Sequence, residues 1–173
     1  MFLNDKGIPD DASLNMLDVG CGTGRYLKQL SKVYPNSNFT GVDISKETVE
    51  KFTRKNNPNF RIEVIDVEND DVFYERNRQN YDVVLVIGLI QIISVGKVEV
   101  FLRNIHCILK QNGYLYLQFN TESADKKTTI GYKRYSIAEL VEILEKNGFS
   151  IELSQTTNLL KNYVYIFAQR LEL

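Results

Sequence analysis

Cysteine is scarce in this chain of 173 residues. The two present, Cys21 and Cys107, have no spacing suited to a zinc site or a redox pair. Two reduced thiols point to a cytoplasmic setting. An excess of one charge is missing as well. Lys and Arg number 21 against 22 Asp and Glu, and a net charge of −1 offers no general attraction to nucleic acid or an anionic membrane. The longest apolar run, VVLVIGLIQII over residues 83–93, is too short to span a bilayer. No apolar run precedes Met16, so no secretory signal is visible, and no internal repeat is found. Histidine occurs once. His106 falls off the apolar face of its predicted helix, which predicts an exposed ring and a poor general base.

What remains is an ordinary globular composition, 43% hydrophobic, read as one domain over residues 1–173 with a short N-terminal segment, 1–14. Strand and helix patterns alternate almost throughout. NMLDV (15–19), NFTGVD (38–43), FRIEVIDV (60–67) and YDVVLVIG (81–88) read as buried strands, with helical spacing between them. Pro35 closes the first helix, Ser45 caps the second, and Asn112-Gly113 reads as a helix stop before the strand YLYLQF. Ser136 and Glu139 form a capping box, and two alternating runs close the chain. The expected fold is α/β: a doubly wound, Rossmann-like sheet with helices on both faces, mostly parallel with an antiparallel C-terminal strand. Ligands of such sheets lie at the carboxyl ends of the strands, where strand order reverses.

LDVGCGTGRY, residues 17–26, falls at that point, with Gly20, Gly22 and Gly24 at alternate positions. A phosphate loop needs Lys-Ser or Lys-Thr after its last glycine, but Arg25-Tyr26 stands there. A dinucleotide fingerprint needs a small residue where Arg25 is. The pattern Asp18-x-Gly20-x-Gly22-x-Gly24, with GVDIS (41–45), VIDVEN (65–69 with its leading Val64), YDVVLVIGLIQII and LKQNGYLYLQF in order, resembles the class I S-adenosylmethionine-dependent methyltransferases. YSIAELVEILEKNGF resembles the late helix of the family's small-molecule members.

The resemblance implies S-adenosyl-L-methionine as cofactor and S-adenosyl-L-homocysteine as product. It implies that Asp18 holds the methionine amine and that Gly20, Cys21, Gly22 and Gly24 bring backbone close to the methionine part. By the same resemblance, Asp43 takes both ribose hydroxyls beside Ile44, Asp66 takes the adenine amine beside Val67, and Ile87 and Gly88 line the methionine end. The implied activity is direct in-line methyl transfer to O, N or C of a small-molecule acceptor. A protein or tRNA acceptor, a non-catalytic cofactor-binding subunit and an NAD-dependent oxidoreductase are the alternatives carried.

No Asn-Pro-Pro-Tyr motif and no acidic cluster follow the fourth strand, which argues against nucleobase or glutamine amines and against metal-dependent catechol chemistry. Candidates to act on substrate are Gln91, Tyr132, Tyr135 and Glu122. The polar loop 120–136, with Lys126, Lys127, Lys133 and Arg134, suits an anionic or aromatic acceptor. Only about fourteen residues precede the first strand, which leaves room for a partner chain or dimer over that side.

Overall fold

The computed structural model describes residues 6–53, 59–120, 135–156 and 163–172. In chain order the elements are β1 (Asn15–Val19), α1 (Arg25–Val33), β2 (Asn38–Asp43), α2 (Lys46–Thr53), β3 (Phe60–Val64) and α3 (Asp71–Arg76). They continue with β4 (Tyr81–Ile87), α4 (Val98–Ile108), β5 (Leu109–Asn120), α5 (Ile137–Lys146), β6 (Phe149–Thr156) and β7 (Tyr163–Arg170). The seven strands form one sheet in the order β3-β2-β1-β4-β5-β7-β6. β7 runs antiparallel to both of its neighbours, and every other pairing is parallel. Strand order reverses between β1 and β4, and the expected fold class is the one observed.

Strand alternation divides the core between the two faces. Leu17, Val19, Val84, Val86, Leu115, Leu117 and Phe119 join the buried stripe of α4, which is Phe101, Leu102 and Ile105. On the other face Met16, Val83 and Leu85 pack with Leu27 and Leu30 of α1. The N-terminal stretch crosses this second face: Ile8 packs on its cluster, and Lys6 pairs with Glu152 of β6. The caps read from sequence are present. Thr48 N–H donates to Ser45 Oγ at 3.3 Å, and the reciprocal Ser136–Glu139 box opens α5.

Three local expectations are corrected. β3 ends at Val64 rather than Val67, so Asp66 lies in the turn beyond the strand. Asn112-Gly113 is no helix stop. α4 ends at Ile108, Leu109 is already extended, and the pair forms an irregularity inside β5, where Tyr81 faces Leu109 but Val83 faces Tyr114. A Cβ at Gly113 would lie 2.9 Å from Lys110 O and 3.1 Å from Asp82 O, so glycine is required there by close backbone approach. His106 is buried, not exposed. Its ring meets Phe149 of β6 edge-on at 5.3 Å, and Nε2 lies 3.3 Å from Leu171 O. Burial first, then nearby Arg170, holds its pKa below the usual histidine value.

Candidate functional site

The glycine loop leaves β1 at the reversal point and is tied to β2 by its backbone. Gly20 N–H and Cys21 N–H both donate to Val42 O, at 2.8 and 3.0 Å. Gly20 adopts φ +75°, which a side chain disfavours, and a Cβ there would stand 3.1 Å from Leu89 Cδ1. The loop therefore lies bare beneath Leu89.

Asp43, the last residue of β2, is held from two sides. Gly22 N–H donates to Oδ2 at 2.9 Å and Ser45 N–H donates to Oδ1 at 2.9 Å. A carboxylate oxygen has two lone pairs, so each oxygen keeps one acceptor direction beyond these bonds. Asp18 lies beside it, 1% exposed, with Oδ2 lacking a hydrogen-bond partner among the described residues. Burial, with Asp43 adding repulsion, raises its carboxyl pKa to about 7.

A cleft of about 310 Å³ opens over these strand ends. Gly20, Asp43, Ile44, Asp66, Val67, Ile87 and Gly88, all expected from sequence, line it together. Ile44 is among the most exposed large apolar side chains of the chain, at 69%. Val42, Ile65, Glu68, Leu89, Ile92 and Ile93 complete the wall and were not singled out from sequence. Their signal was the apolar run after β4 and the Glu of VIDVEN. Asp43, Asp66 and Glu68 give the lining a negative character, and no basic side chain is part of it among the described residues. Asp66 is already engaged within its own turn. Glu68 N–H donates to Oδ1 at 3.1 Å and Asn69 Nδ2 to Oδ2 at 2.8 Å, and these bonds hold its pKa below the ordinary value.

Other expected residues lie elsewhere. Cys21 turns its thiol into the core against Gly41, and burial pushes the thiol up to about 12, so only its backbone serves the loop. Gly22 and Gly24 shape the loop without lining the cleft. Gln91 stands in the turn after β4, outside the cleft lining, with Oε1 sealed from solvent and unpartnered among the described residues. Tyr135 is 2% exposed in the main core, also outside the lining. Tyr132, Glu122 and the basic residues 126–134 lie outside the described residues. Among the described residues, no group of three His, Cys, Asp or Glu is placed to hold a metal ion, and no helix is long and apolar enough to cross a membrane.

The raised pKa of Asp18 fixes a sign for stability. The folded state binds its proton more tightly than the unfolded chain, so stability from this group declines as pH rises from about 4 to about 7 and is flat above. Asp18→Asn is expected to stabilise the free protein by about 2 kcal/mol more at pH 8 than at pH 5. Denaturant unfolding at the two pH values checks this; an equal gain at both would contradict it.

The profile of a family described as "methyltransferase domain" matches residues 16–113. The malonyl-[acyl-carrier protein] O-methyltransferase of Bacillus cereus is 27% identical over 165 residues, covering 85% of this chain and 59% of that protein. The chain thus spans about three fifths of that curated relative. An S-adenosylmethionine-dependent methyltransferase structure from Mesorhizobium loti superposes with a TM-score of 0.78 at 14% identity, covering 96% of this chain and 95% of the other. The 1,6-didemethyltoxoflavin-N1-methyltransferase of Burkholderia thailandensis, solved with 1,6-didemethyltoxoflavin and S-adenosylhomocysteine, gives 0.76 at 18% identity, with 92% and 72% covered. These two structures share the fold.

Proposed function

Because the chain belongs to the methyltransferase domain family, we propose that it binds S-adenosylmethionine in the cleft at the ends of β1, β2 and β4 and methylates a small-molecule acceptor. One observation carries the reading. A carboxylate fixed by two backbone N–H groups (Asp43) stands beside a second, buried carboxyl group with an orphan oxygen (Asp18), over a loop with no side chain at Gly20. Those groups suit a ligand that bears a diol and an ammonium.

In this reading the remaining lone pairs of Asp43 accept the two ribose hydroxyls. Asp18 lies behind the cleft lining, and the amino acid's ammonium, held at the methionine end, favours its ionised form through space. Ile44, Ile65 and Val67 give apolar walls to the adenine, and Asp66 offers the lone pairs its turn leaves over. Ile87, Gly88 and Leu89 flank the methionine end. The cofactor, when bound, supplies a methyl group on a sulfonium, already activated for transfer. The chain's own task is alignment of the acceptor and exclusion of water, to which the apolar side chains of Leu89, Ile92 and Ile93 contribute. The same proposal takes in an aromatic or anionic acceptor, a partner chain over the N-terminal side and, from the free Cys21 and Cys107, a cytoplasmic setting.

Methyl-labelled S-adenosylmethionine, offered with separate pools of small molecules, protein and tRNA, tests the assignment. Label in a small molecule, a malonyl thioester included, is the expected result. Label confined to protein or tRNA would contradict it.

A further inference from the structure

Two turns line the cleft together: residues 66–68 after β3, and Leu89, Ile92 and Ile93 after β4. Ser94 N–H, on the second turn, donates to Glu68 Oε1 at 3.1 Å. Lys97 Nζ donates to Asn69 Oδ1 at 2.7 Å and lies 3.8 Å from Glu68 Oε2. The same two acceptor residues hold Asp66, Glu68 through its N–H and Asn69 through its side-chain amide. The turn that fixes one carboxylate of the cleft therefore also carries the side chains that reach the other turn.

Apolar packing does not close this junction. A second cavity, of about 170 Å³, shares Val67 and Glu68 with the cleft and is bounded by Lys97, Val100, Phe101 and Asn104 at the start of α4. Glu68 thus stands in a partition between two hollows, and its side chain spans what packing leaves open. Ile90 and Ile93, 0% and 1% exposed, anchor the second turn in the core, while Leu89 and Ile92 stay partly exposed at the cleft. A hydrogen bond to a charged acceptor is the stronger kind, whereas an ion pair as exposed as Lys97–Glu68 contributes little. The Ser94 bond is the main connection.

We propose that Glu68 is a positioning residue: by accepting from Ser94 N–H it sets the turn after β4, and with it Leu89 over Gly20, for the methionine part of the cofactor. The proposal rests on the S-adenosylmethionine reading of the cleft. Because Glu68 lines the cleft, direct contact with the adenosine part is the competing role. A direct contact serves any ligand that carries adenine and ribose. The turn acts only on a ligand that extends to Leu89.

S-adenosylhomocysteine and methylthioadenosine separate the two roles, since the second keeps adenine, ribose and sulfur and lacks the amino-acid part. Both are titrated by calorimetry into the full chain and into variants that a thermal melt shows to be folded. Glu68→Ala should weaken S-adenosylhomocysteine about tenfold and change methylthioadenosine by less than about twofold. Glu68→Gln keeps an acceptor oxygen for Ser94 N–H and should recover most of that loss. Lys97→Met leaves the Ser94 bond in place and should change neither ligand by more than about twofold. In the free protein, backbone hydrogen exchange over residues 89–97 should quicken in Glu68→Ala and not in Lys97→Met, with β2 unaffected. Equal weakening of both ligands would make Glu68 a direct adenosine contact and overturn the proposal. So would S-adenosylhomocysteine affinity that Glu68→Ala leaves unchanged, exchange over 89–97 that does not respond, or a Lys97→Met loss as large as that of Glu68→Ala. Failure of the parent chain to bind either ligand counts against the cofactor assignment instead, and the exchange result still decides whether Glu68 sets the turn.

Discussion

Asp43→Ala is expected to lower the affinity for S-adenosylhomocysteine by about 30- to 1000-fold, the equivalent of about 2–4 kcal/mol. Two effects add. The variant removes the acceptors assigned to the ribose hydroxyls, and hydrogen bonds to a charged group are the stronger kind. It also releases Gly22 N–H, which donates to Asp43 Oδ2 at 2.9 Å and holds the glycine loop to β2. Ser45 N–H loses its partner at the same time, although Ser45 still caps α2 through its own hydroxyl. Asp43 is only half-buried at a strand end, so the fold should survive and a thermal melt should show it. Asp43→Asn, which keeps one oxygen, should fall between alanine and the parent. Calorimetric affinities across the three proteins check the order, and an unchanged value in Asp43→Ala would remove the site from this cleft.

Gly24→Ala should be the most damaging single substitution in the loop. A Cβ at Gly24 would lie 1.6 Å from Phe52 Cε2 and 2.3 Å from Cδ2, a separation no side-chain adjustment of tenths of an ångström relieves. Phe52 is 6% exposed, meets Phe60 edge-on at 5.5 Å and lies under Lys28 Nζ at 4.4 Å from its ring centroid. Its ring must leave this packing or the loop must move off β2. Loss of a buried phenyl contact costs about 3–5 kcal/mol, and the left-handed φ of +68° adds about 1 kcal/mol for a residue with Cβ. Gly22→Ala separates the two causes. Gly22 also has positive φ, +52°, but a Cβ there meets nothing within 4 Å, so only the smaller penalty applies. Urea unfolding of both variants is the measurement. Equal, small losses would show that Phe52 does not constrain the loop.

The sequence carried the architecture because its signals were local and redundant. Period-two and period-3.6 patterns alternate, caps at Ser45 and Ser136 mark helix starts, and a helix between successive strands makes each connection a parallel crossover. The glycine loop and Asp43 were legible for the same reason: a strand end followed by bare backbone and a carboxylate is a local pattern. What failed depended on distant contacts. The burial of His106 comes from Phe149 and Leu171, more than forty residues away, and no helical wheel of α4 contains them. Asn112-Gly113 suits a helix stop and a strand irregularity alike, and the backbone of Asp82 across the sheet decides between them. Leu89 belongs to an apolar run that reads as core, yet its isobutyl group closes over Gly20. The strand pattern that includes Asp66 stops at Val64, three residues short of its expected end, since Glu68 and Asn69 draw the Asp66 carboxylate into a turn.

In the proposed reading the cleft over Gly20 and Asp43 takes S-adenosylmethionine and not a dinucleotide. Calorimetric titration of the chain with S-adenosylhomocysteine, run beside NAD, separates the two. Saturable one-to-one binding of S-adenosylhomocysteine and none of NAD is expected, because Arg25 stands where a dinucleotide loop needs a small residue. Binding of NAD in its place, or of neither ligand, would contradict it.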